Sequence, residues 1–498
     1  MTRGTPPNTL DAALRESCKH HGTRRAVSGP HGSISYGELE QQAHAVADRL
    51  IKAGLAAHEI VHVKVSNQAM DIAALLGVWL ANGVAAPIHR DAARTTHSRI
   101  HEKTRARFEV DIGPPATAES WIRAIGDLPP PPRPLLEGAA LVIFTSGSTG
   151  EPKGVVISHQ AFHGKIREID RLLRFQADDT TLLVLNIAFS FGLWIALLTL
   201  LRGGRIVMLG KFDARSLLGI LDEERITRVG MVPTMIRSFL TNPSLTDLVH
   251  KVGDSGTLRQ IVVGGEALGH DLARNIAARF PNTELVDVYG STETSTSDFM
   301  AFPTDRALSP SCIGQPSGGV RFKIRDAAGK PVPAGQPGEL LIHSPYLMSG
   351  YLADSTLTQA AFLNGWFRTG DLARQIDDTR VELVGRIKEL INRGGNKIAP
   401  SEIETVLCRH DNIAQVIITG LPDAMLGERI HAGVVPKTDA PLGRDDLTRF
   451  LSNTLEKFKL PDYFYVIPEI PNNGNGKVDR KRFGEMIRCG EVAAMKKE

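Results

Sequence analysis

The stretch TSGSTGEPKG, Thr145–Gly154, lies between two apolar runs, LVIF before it and KGVVIS from Lys153 onward. Short apolar runs bounded by glycine are typical of strands, so the sequence predicts a strand, a loop and a second strand. A Walker-type loop instead leads into a helix whose N-terminus faces the phosphates, and its lysine follows a glycine in the pattern GxxxxGK[ST]. Here Gly154 comes after Lys153, which excludes that pattern. We therefore expect a phosphate-binding loop between two strands.

The loop carries the groups that bind phosphate oxygens. Backbone N–H groups and hydroxyl side chains donate hydrogen bonds to phosphate, and glycine lets the backbone approach closely. The loop residues that we assign to phosphate binding are Thr145, Ser146, Gly147, Ser148 and Thr149. Lys153 would support the phosphates from the side. The alternative, a flexible surface loop, does not explain four hydroxyls and a lysine between two strands.

Composition and charge limit the classes of protein that fit the chain. Its 498 residues are enough for two to four folding units, and 42% hydrophobic with 23% charged residues is typical of a soluble globular protein. A net charge of +3 gives little support for nucleic-acid binding. The four cysteines are far apart and form no CxxC pair. Their spacing indicates neither a disulfide framework nor a zinc site, and it favours a reducing, cytoplasmic compartment.

One uncharged stretch, Leu182–Leu201, is long enough to span a membrane. Asn186 and Gly192 interrupt it, however, and no second such stretch occurs. The N-terminus has prolines and charges where a signal peptide has an apolar segment. We predict a buried strand over 182–185, a turn and a buried helix from residue 193, and no membrane span.

The rest of the sequence alternates strand-like and helix-like patterns. IVHVKVS at residues 60–66 is strand-like and MDIAALLGVWLANG is helical, and this order recurs in LRQIVVGG, LGHDLARNIAARF and ELVDVYG. Such alternation predicts an α/β fold with parallel-rich sheets flanked by helices. After about residue 320, short strands with glycine and proline turns indicate a small β-rich subdomain. We expect an N-terminal domain over 1–387, with the subdomain at about 320–387, and a small α+β domain over 388–498.

Five further segments follow the loop. They are VVGGEAL (262–268), VDVYGSTET (286–294), WFRTGDLA (366–373), VELVGRIKELINRGGNKIAPSEIE (381–404) and PNNGNGKVDRKRF (471–483). With TSGSTGEPKG, and in the same order, they resemble the signature motifs of the adenylate-forming superfamily, which includes acyl-CoA synthetases, peptide-synthetase adenylation domains and firefly luciferase. The resemblance covers essentially the whole chain. It implies a large AMP-binding domain with a small, mobile C-terminal domain.

The resemblance also implies which residues bind the nucleotide. Tyr289 would stack on adenine, Asp287 would lie near the adenine amino group, and Thr292 would contact the α-phosphate. Glu293 would hold Mg²⁺ together with Thr149, because a hard cation prefers oxygen ligands. Thr292 and Glu293 are therefore implied catalytic residues. The other positions in these segments that are implied to bind ATP are Gly265, Glu266, Ala267, Val288, Gly290 and Ser291.

The segments after residue 366 carry the remaining implied roles. Asp371 would accept hydrogen bonds from both ribose hydroxyls, since two acceptor oxygens suit a vicinal diol, and Arg386 would be a second ribose contact. Lys477 matches the catalytic lysine, which bridges the carboxylate and the α-phosphate as a mobile point charge. Lys388 falls at the hinge about which the small domain rotates. The pair Gly394–Gly395 would line the tunnel for the pantetheine thiol.

The reaction implied by the resemblance has two steps. A carboxylate attacks the α-phosphorus of ATP, which releases pyrophosphate and leaves an acyl-adenylate. A thiol then attacks the activated carbonyl and AMP leaves. Because the first step brings two anions together, we expect catalysis by positioning and charge neutralisation rather than by proton transfer.

The segment AFSFGLW, residues 188–194, bears on the acid. Amino-acid-activating relatives carry Phe-Asp there, and the aspartate pairs with the α-ammonium of the substrate; we match that aspartate to Gly192. A buried ammonium without a counterion is too costly, so an α-amino acid is disfavoured. The order Phe191–Gly192–Leu193 resembles aryl-CoA ligases, which favours an aromatic or medium-sized apolar acid. The expected acyl pocket consists of Phe191, Gly192, Val232, Gly264 and Thr296.

Three functions stay open from the sequence. The preferred one is an acyl-CoA or aryl-CoA ligase that uses a small carboxylic acid, ATP, Mg²⁺ and coenzyme A. The second is a stand-alone adenylating enzyme that loads the phosphopantetheine of an acyl or peptidyl carrier protein acting in trans. The third is a non-catalytic nucleotide-binding relative, which the joint presence of Lys477, Glu293, Asp371 and Arg386 disfavours. No nucleic-acid partner is expected.

Overall fold

The computed structural model describes residues 9–29, 32–112, 121–127, 130–146, 151–307, 309, 311–333, 335–437, 442–472 and 478–496. The chain divides into two compact units. The first comprises Met1–Leu308, Ile313–Phe322 and Ile342–Arg368, and the second comprises Ser309–Cys312, Lys323–Leu341 and Thr369–Glu498. The second unit thus includes residues before Lys388 as well as after it. The domain boundary and the hinge at Lys388 stay predictions.

Helices and strands alternate through most of the described chain. The helices are α1 (Leu10–His21), α2 (Tyr36–Lys52), α3 (Ala69–Leu80), α4 (Arg94–Thr104), α5 (His159–Leu173), α6 (Ser190–Leu201), α7 (Ala214–Glu223), α8 (Pro233–Leu240), α9 (Thr246–Asp254), α10 (His270–Arg279), α11 (Pro303–Arg306), α12 (Ser355–Ala360), α13 (Pro400–Leu407), α14 (Arg444–Ser452) and α15 (Arg480–Arg488). The strands are β1 (Arg25–Gly29), β2 (Gly32–Ser35), β3 (Ile60–Val65), β4 (Val84–His89), β5 (Phe108–Val110), β6 (Ile122–Ala124), β7 (Ala139–Ser146), β8 (Pro152–Ser158), β9 (Thr180–Leu183), β10 (Arg205–Met208), β11 (Arg228–Met231), β12 (Gln260–Gly264), β13 (Glu284–Tyr289), β14 (Phe299–Ala301), β15 (Cys312–Pro316), β16 (Arg321–Arg325), β17 (Gly338–His343), β18 (Gly350–Tyr351), β19 (Phe362–Leu363), β20 (Trp366–Gln375), β21 (Val381–Arg386), β22 (Ile391–Arg393), β23 (Asn396–Ile398), β24 (Ile413–Asp423), β25 (Gly427–Pro436) and β26 (Tyr463–Val466).

The central sheet of the first unit is mostly parallel. Its strands lie in the order β14, β13, β12, β11, β9, β10, β1 and β2, and the pairs from β13 to β1 are parallel. Leu182 packs into one hydrophobic cluster and Leu183 into the other, because successive side chains of a strand point to opposite faces. Both faces of the sheet are therefore buried, which explains the nearly continuous apolar runs in its strands.

The long uncharged stretch lies in this core. Strand β9 ends at Leu183, and helix α6 begins at Ser190 rather than at Leu193. Leu193 and Trp194 are fully buried. Among the described residues, no helix is long and apolar enough to cross a membrane. The prediction of a buried strand, a turn and a buried helix is confirmed.

A second sheet of the first unit contains the strands that flank the phosphate-binding loop. Its order is β18, β8, β7, β4, β3, β5 and β6. Strands β7 and β8 are antiparallel, with Thr145 opposite Lys153. Helix α5 directly follows β8, and its first turn is capped by Ser158, whose hydroxyl accepts a hydrogen bond from the Ala161 N–H at 3.1 Å. This arrangement confirms the strand–loop–strand prediction and excludes a Walker-type loop.

The second unit contains a smaller, mainly antiparallel sheet. Strand β25 pairs antiparallel with β24 and with β22, and parallel with β26. Ile403 of α13, Leu447 of α14 and Phe464 of β26 are fully buried in one hydrophobic cluster. The predicted α/β fold with an α+β C-terminal part is confirmed.

Candidate active site

The carboxyl ends of the parallel strands bring distant segments of the first unit together. Val232 follows β11, Gly265 follows β12 and Gly290 follows β13. These three strands are parallel neighbours in the central sheet. In open α/β sheets, ligands bind at this edge. The segments 262–268 and 286–294 therefore leave the sheet side by side, at the edge where a ligand site is expected.

The turn after β13 is held by its own hydrogen bonds. The Ser291 N–H donates to the Thr294 hydroxyl at 3.2 Å, and the Thr296 N–H donates to the Ser291 carbonyl at 2.8 Å. Thr292–Thr294 forms a short 3-10 turn, and Thr296 follows with a φ of 82°. Non-glycine residues rarely adopt such a φ, and those that do cluster at functional sites. The fold thus holds the turn that carries Glu293 in one defined conformation.

Glu293 contacts a tyrosine that the sequence analysis did not identify. The Tyr351 hydroxyl donates to Glu293 Oε1 at 2.9 Å, and the Met348 N–H donates to the Glu293 carbonyl at 2.8 Å. Burial and the Glu293 carboxylate both raise the pKa of the Tyr351 hydroxyl, so it stays protonated at neutral pH. Tyr351 lies in β18, which pairs with β8, and the Lys153 ammonium lies 5.6 Å from the centre of its ring. One tyrosine therefore stands between Glu293 and Lys153.

The oxygen donors at this position fit Mg²⁺. Within the described part of the chain, no group of three or more His, Cys, Asp or Glu side chains could hold a metal by itself. Mg²⁺ does not need such a group, because it keeps several waters and binds one or two carboxylates together with substrate phosphates. Glu293, held by Tyr351, supplies one carboxylate of that kind.

Asp287, expected beside the adenine amino group, is paired with an arginine. Arg306 Nη1 donates to Asp287 Oδ2 at 2.6 Å, and its Nη2 donates to the Gly269 carbonyl at 3.2 Å. Burial raises the pKa of Asp287 to about 6, although the Arg306 guanidinium opposes this shift. Tyr289, two positions further along β13, packs edge-on against Phe299 with ring centres 6.0 Å apart. Arg306 lies outside every recognised motif, so the sequence analysis missed it.

Three of the five residues expected in the acyl pocket lie together. A Cβ on Gly264 would lie 3.2 Å from Phe191 Cε1, and a Cβ on Gly265 would lie 3.5 Å from Val232 Cγ1. Because Gly264 and Gly265 are adjacent, Phe191 and Val232 lie beside one short piece of backbone. Phe191 is half-buried and stacks on the fully buried Trp194, with ring centres 5.9 Å apart. This wall is apolar.

Gly192 has a packing role that the sequence did not indicate. A Cβ at this position would lie 2.7 Å from both the Leu185 and the Asn186 carbonyl oxygens. The missing side chain thus points at the preceding turn rather than at Phe191, and α6 can approach that turn only because residue 192 is glycine. Ser190, the first residue of α6, contacts the turn after β13, with its hydroxyl 3.4 Å from the Thr292 hydroxyl. The match of Gly192 to a pocket aspartate stays a prediction, and Ser190, which is also uncharged, lies beside the turn.

Asp371 and Arg386, both in the second unit, pair with each other. They are opposite one another in the antiparallel pair β20–β21, and Arg386 Nε lies 3.0 Å from Asp371 Oδ1. The Asp371 side chain is mostly buried, and half of the Arg386 side chain is exposed. The Thr369 hydroxyl accepts from the Asp371 N–H at 3.0 Å and donates to the Leu340 carbonyl at 2.7 Å. The structure thus brings together the two residues expected to contact ribose, and that role stays a prediction.

The glycine pair expected in the thiol tunnel forms a hairpin turn. Gly394 and Gly395 join β22 to β23 with φ of 57° and 82°, a region that favours glycine. The Gly394 N–H donates to the Leu426 carbonyl at 2.8 Å. Lys388 is exposed and lies in the 3-10 turn Ile387–Glu389.

The other expected site residues are placed as follows. Gly147, Ser148, Thr149 and Lys477 lie outside the described residues, and Thr145 and Ser146 end strand β7. In the turn after β12, Glu266 Oε2 lies 3.9 Å from Arg237 Nη1, and Ala267 is exposed. Thr296 is buried, and its backbone lies next to Gly290. The ligand contacts of all these residues stay predictions.

Comparison with known proteins agrees with this arrangement. Residues 14–352 match the model of the AMP-binding enzyme family, and residues 402–477 match the AMP-binding enzyme C-terminal domain. The chain is 30% identical to the fatty acid–[acyl-carrier-protein] ligase ScoC of Streptomyces coeruleorubidus, over 95% of each chain. It is 27% identical to a feruloyl-CoA synthase of an Amycolatopsis species, over 93% of this chain and 98% of that one.

Longer relatives and solved structures also match. A plipastatin synthase polypeptide of Bacillus subtilis is 29% identical over 92% of this chain, and the chain spans only 19% of that protein. Among solved structures, ATP-bound MatB from Rhodopseudomonas palustris superposes with a TM-score of 0.85 at 25% identity, covering 97% of this chain and 99% of MatB. Because the family match extends over more than half of the sequence, the chain belongs to the AMP-binding enzyme family of adenylate-forming ligases.

Proposed function

We propose that the chain is an AMP-forming acid–thiol ligase that joins a carboxylic acid to coenzyme A with ATP. The observation that carries this proposal is the arrangement of Glu293, Tyr351 and Lys153 beside the turn after β13. A carboxylate for Mg²⁺ and an ammonium for phosphate are the groups that a bound triphosphate needs. The similarity to a feruloyl-CoA synthase supports coenzyme A as the acceptor.

In the first half-reaction, the acid's carboxylate attacks the α-phosphorus of ATP and pyrophosphate leaves. Lys153 and the loop hydroxyls would neutralise the outer phosphates, and Thr292 would donate a hydrogen bond to the α-phosphate. Mg²⁺, held by Glu293 and Thr149, would screen the charge between the two anions. Lys477 would bridge the carboxylate and the α-phosphate. These contacts lower the barrier by charge neutralisation and alignment.

The nucleoside contacts that we propose follow the motifs. Tyr289 would stack on adenine, and Asp287 would accept a hydrogen bond from its amino group. Asp371 and Arg386 would bind the ribose, and the two side chains form an ion pair with each other. In the second half-reaction, rotation about Lys388 would replace Lys477 by the Gly394–Gly395 turn, and the thiol would attack the acyl carbonyl as AMP leaves.

For the acid, we propose an aromatic or medium-sized apolar carboxylic acid. The wall formed by Phe191, Val232 and Gly264 is apolar, and the half-buried Phe191 ring, backed by the buried Trp194, would offer a flat surface to a ring. Ser190 rather than a carboxylate lies beside Thr292, so a buried substrate ammonium would lack a counterion there.

Exchange of labelled pyrophosphate into ATP, measured across a panel of acids, tests the adenylation step. We expect exchange with aromatic and apolar acids and little with α-amino acids of the same size. Absence of exchange with every acid on folded protein would contradict the ligase proposal and favour a non-catalytic nucleotide-binding relative. A Lys477→Ala variant should lose exchange yet still form thioester from a preformed acyl-adenylate.

A carrier protein is the second candidate acceptor. The observation in its favour is the 30% identity to ScoC, which is named as a fatty acid–[acyl-carrier-protein] ligase. Parallel assays of thioester formation with coenzyme A and with a phosphopantetheinylated carrier protein separate the two acceptors. We expect turnover with coenzyme A, and turnover with the carrier alone would reverse the assignment.

A further inference from the structure

Lys165 and Asp298 form an ion pair in the interior of the first unit. Lys165 Nζ donates to Asp298 Oδ1 at 2.8 Å, and both side chains are 0% exposed. Nζ also donates to the Ser317 hydroxyl at 3.2 Å and lies 5.8 Å from the centre of the Tyr346 ring. Removing two charges from water is unfavourable, and an apolar pair of the same volume often gives equal or greater stability. The presence of this pair in the core therefore suggests a role other than stability.

Asp298 ties together the loop that starts at Tyr289. Its N–H donates to the Tyr289 carbonyl at 2.6 Å, which closes the loop at its base. Its second carboxylate oxygen accepts a hydrogen bond from the Thr294 hydroxyl. Thr294 is the last residue of the 3-10 turn that carries Thr292 and Glu293. Asp298 thus closes the base of the loop through its backbone N–H and holds the tip through its carboxylate.

Lys165 connects this loop to the strands that flank the phosphate-binding loop. It lies on α5, which begins directly after β8, and β8 carries Lys153. The Ser317 hydroxyl, which accepts from Lys165, in turn donates to the Ser297 carbonyl at 3.2 Å. Lys165 therefore reaches the loop through both Asp298 and Ser317.

We propose that Lys165 and Asp298 are positioning residues that hold Thr292 and Glu293 in place relative to Lys153 for the reaction of ATP. This inference rests on the proposed function, in which Thr292 and Glu293 contact the α-phosphate and the metal. Neither Lys165 nor Asp298 would touch substrate, because both are enclosed by protein. A buried ion pair can fix one arrangement against others even when it adds no net stability.

Hydrogen exchange of the ligand-free protein tests the inference without using any activity. In Lys165→Met, we expect amides in the 289–298 loop to exchange about tenfold faster than in the wild type, because the loop has lost its anchor. Arg228→Met is the matched control: Arg228 Nε donates to Asp179 Oδ2 at 2.7 Å, and both side chains are buried. Arg228 begins β11, so it lies at the opposite, amino edge of the parallel strands. Unchanged exchange in the loop of folded Lys165→Met, or equal acceleration in both variants, would overturn the inference.

Kinetics separate positioning from a purely structural role. The double variant Lys165→Met/Asp298→Leu removes both charges together, so we expect its melting temperature to recover most of what Lys165→Met loses. Its KM for Mg·ATP in pyrophosphate exchange should nevertheless stay raised, by about tenfold, as for other changes next to a metal ligand. Recovery of both the melting temperature and KM would refute positioning. If the wild type shows no pyrophosphate exchange with any acid, the proposed function fails. The hydrogen-exchange result still decides whether Lys165 and Asp298 anchor the loop.

Discussion

Replacing Tyr351 by phenylalanine removes a single hydrogen bond. The hydroxyl donates to Glu293 Oε1 at 2.9 Å, whereas the ring belongs to the main hydrophobic cluster of the first unit and stays there in the variant. A hydrogen bond to a charged group contributes about 1.5–3 kcal/mol. Since about 1.4 kcal/mol corresponds to a factor of ten, the expected loss of Mg²⁺ affinity in the variant is about 10- to 100-fold. Changes to groups that orient a metal ligand lower metal affinity or activity by a similar factor, about 10- to 100-fold.

The assay is a Mg²⁺ titration of ATP–pyrophosphate exchange. We expect the half-saturating Mg²⁺ concentration to rise in Tyr351→Phe while the melting temperature changes little. Tyr36→Phe is the matched control, because Tyr36 is also buried in the first unit and its hydroxyl donates to backbone carbonyls, that of Gly204 at 2.6 Å and that of Leu200 at 3.2 Å. A Tyr351→Phe variant with the Mg²⁺ dependence of the wild type, or the same increase in Tyr36→Phe, would show that Tyr351 does not orient Glu293 for the metal.

Two further predictions test the roles of Gly192 and Asp287. Gly192→Ala should lower the free energy of unfolding, measured by urea titration, by about 1–3 kcal/mol, because the new Cβ overlaps the Leu185 and Asn186 carbonyl oxygens. Gly219→Ala is the control, because Gly219 lies in α7 with open space around it. It should raise the free energy of unfolding by about 0.5–1 kcal/mol in the same titration. For Asp287, the pKa of about 6 in the folded protein exceeds the ordinary value of 3.8, so the folded state keeps a proton that the unfolded chain has released. The free energy of unfolding should therefore fall as pH rises from about 4 to about 6, by at most about 3 kcal/mol. Asp287→Asn should flatten that part of the pH profile, and an unchanged slope would show that Asp287 is not its source.

The features that could be predicted from the sequence are those that depend on residues close together along the chain. Apolar runs on both sides of TSGSTGEPKG were enough to predict strands β7 and β8, and the antiparallel register of Thr145 and Lys153 follows from the short connection between them. The pairing of Asp371 with Arg386 was not predicted as a contact, although both positions were identified from motifs. Tyr351 and Arg306 were missed because both lie outside the recognised motifs and are separated along the chain from their partners, Glu293 and Asp287.

Gly192 shows what a sequence match leaves undecided. In a helix, a change of two positions rotates a side chain to the other side of the axis, so a residue matched to a pocket can point away from it. Because α6 starts at Ser190, that residue lies beside the turn after β13. The position of this start depends on packing against the Leu185–Asn186 turn. Sequence alone does not fix this rotation.

Local patterns and motifs in a fixed order were enough to establish the strand–loop–strand device, the α/β class and the membership of the adenylate-forming ligases. The side chains that surround Glu293 depend instead on tertiary packing. Parallel strands end at one edge of their sheet, so residues far apart in the chain become neighbours there. Tyr351 reaches Glu293 through β18 and β8, and Lys165 reaches Asp298 through α5. Such contacts follow from how whole elements pack, which no local stretch of sequence specifies.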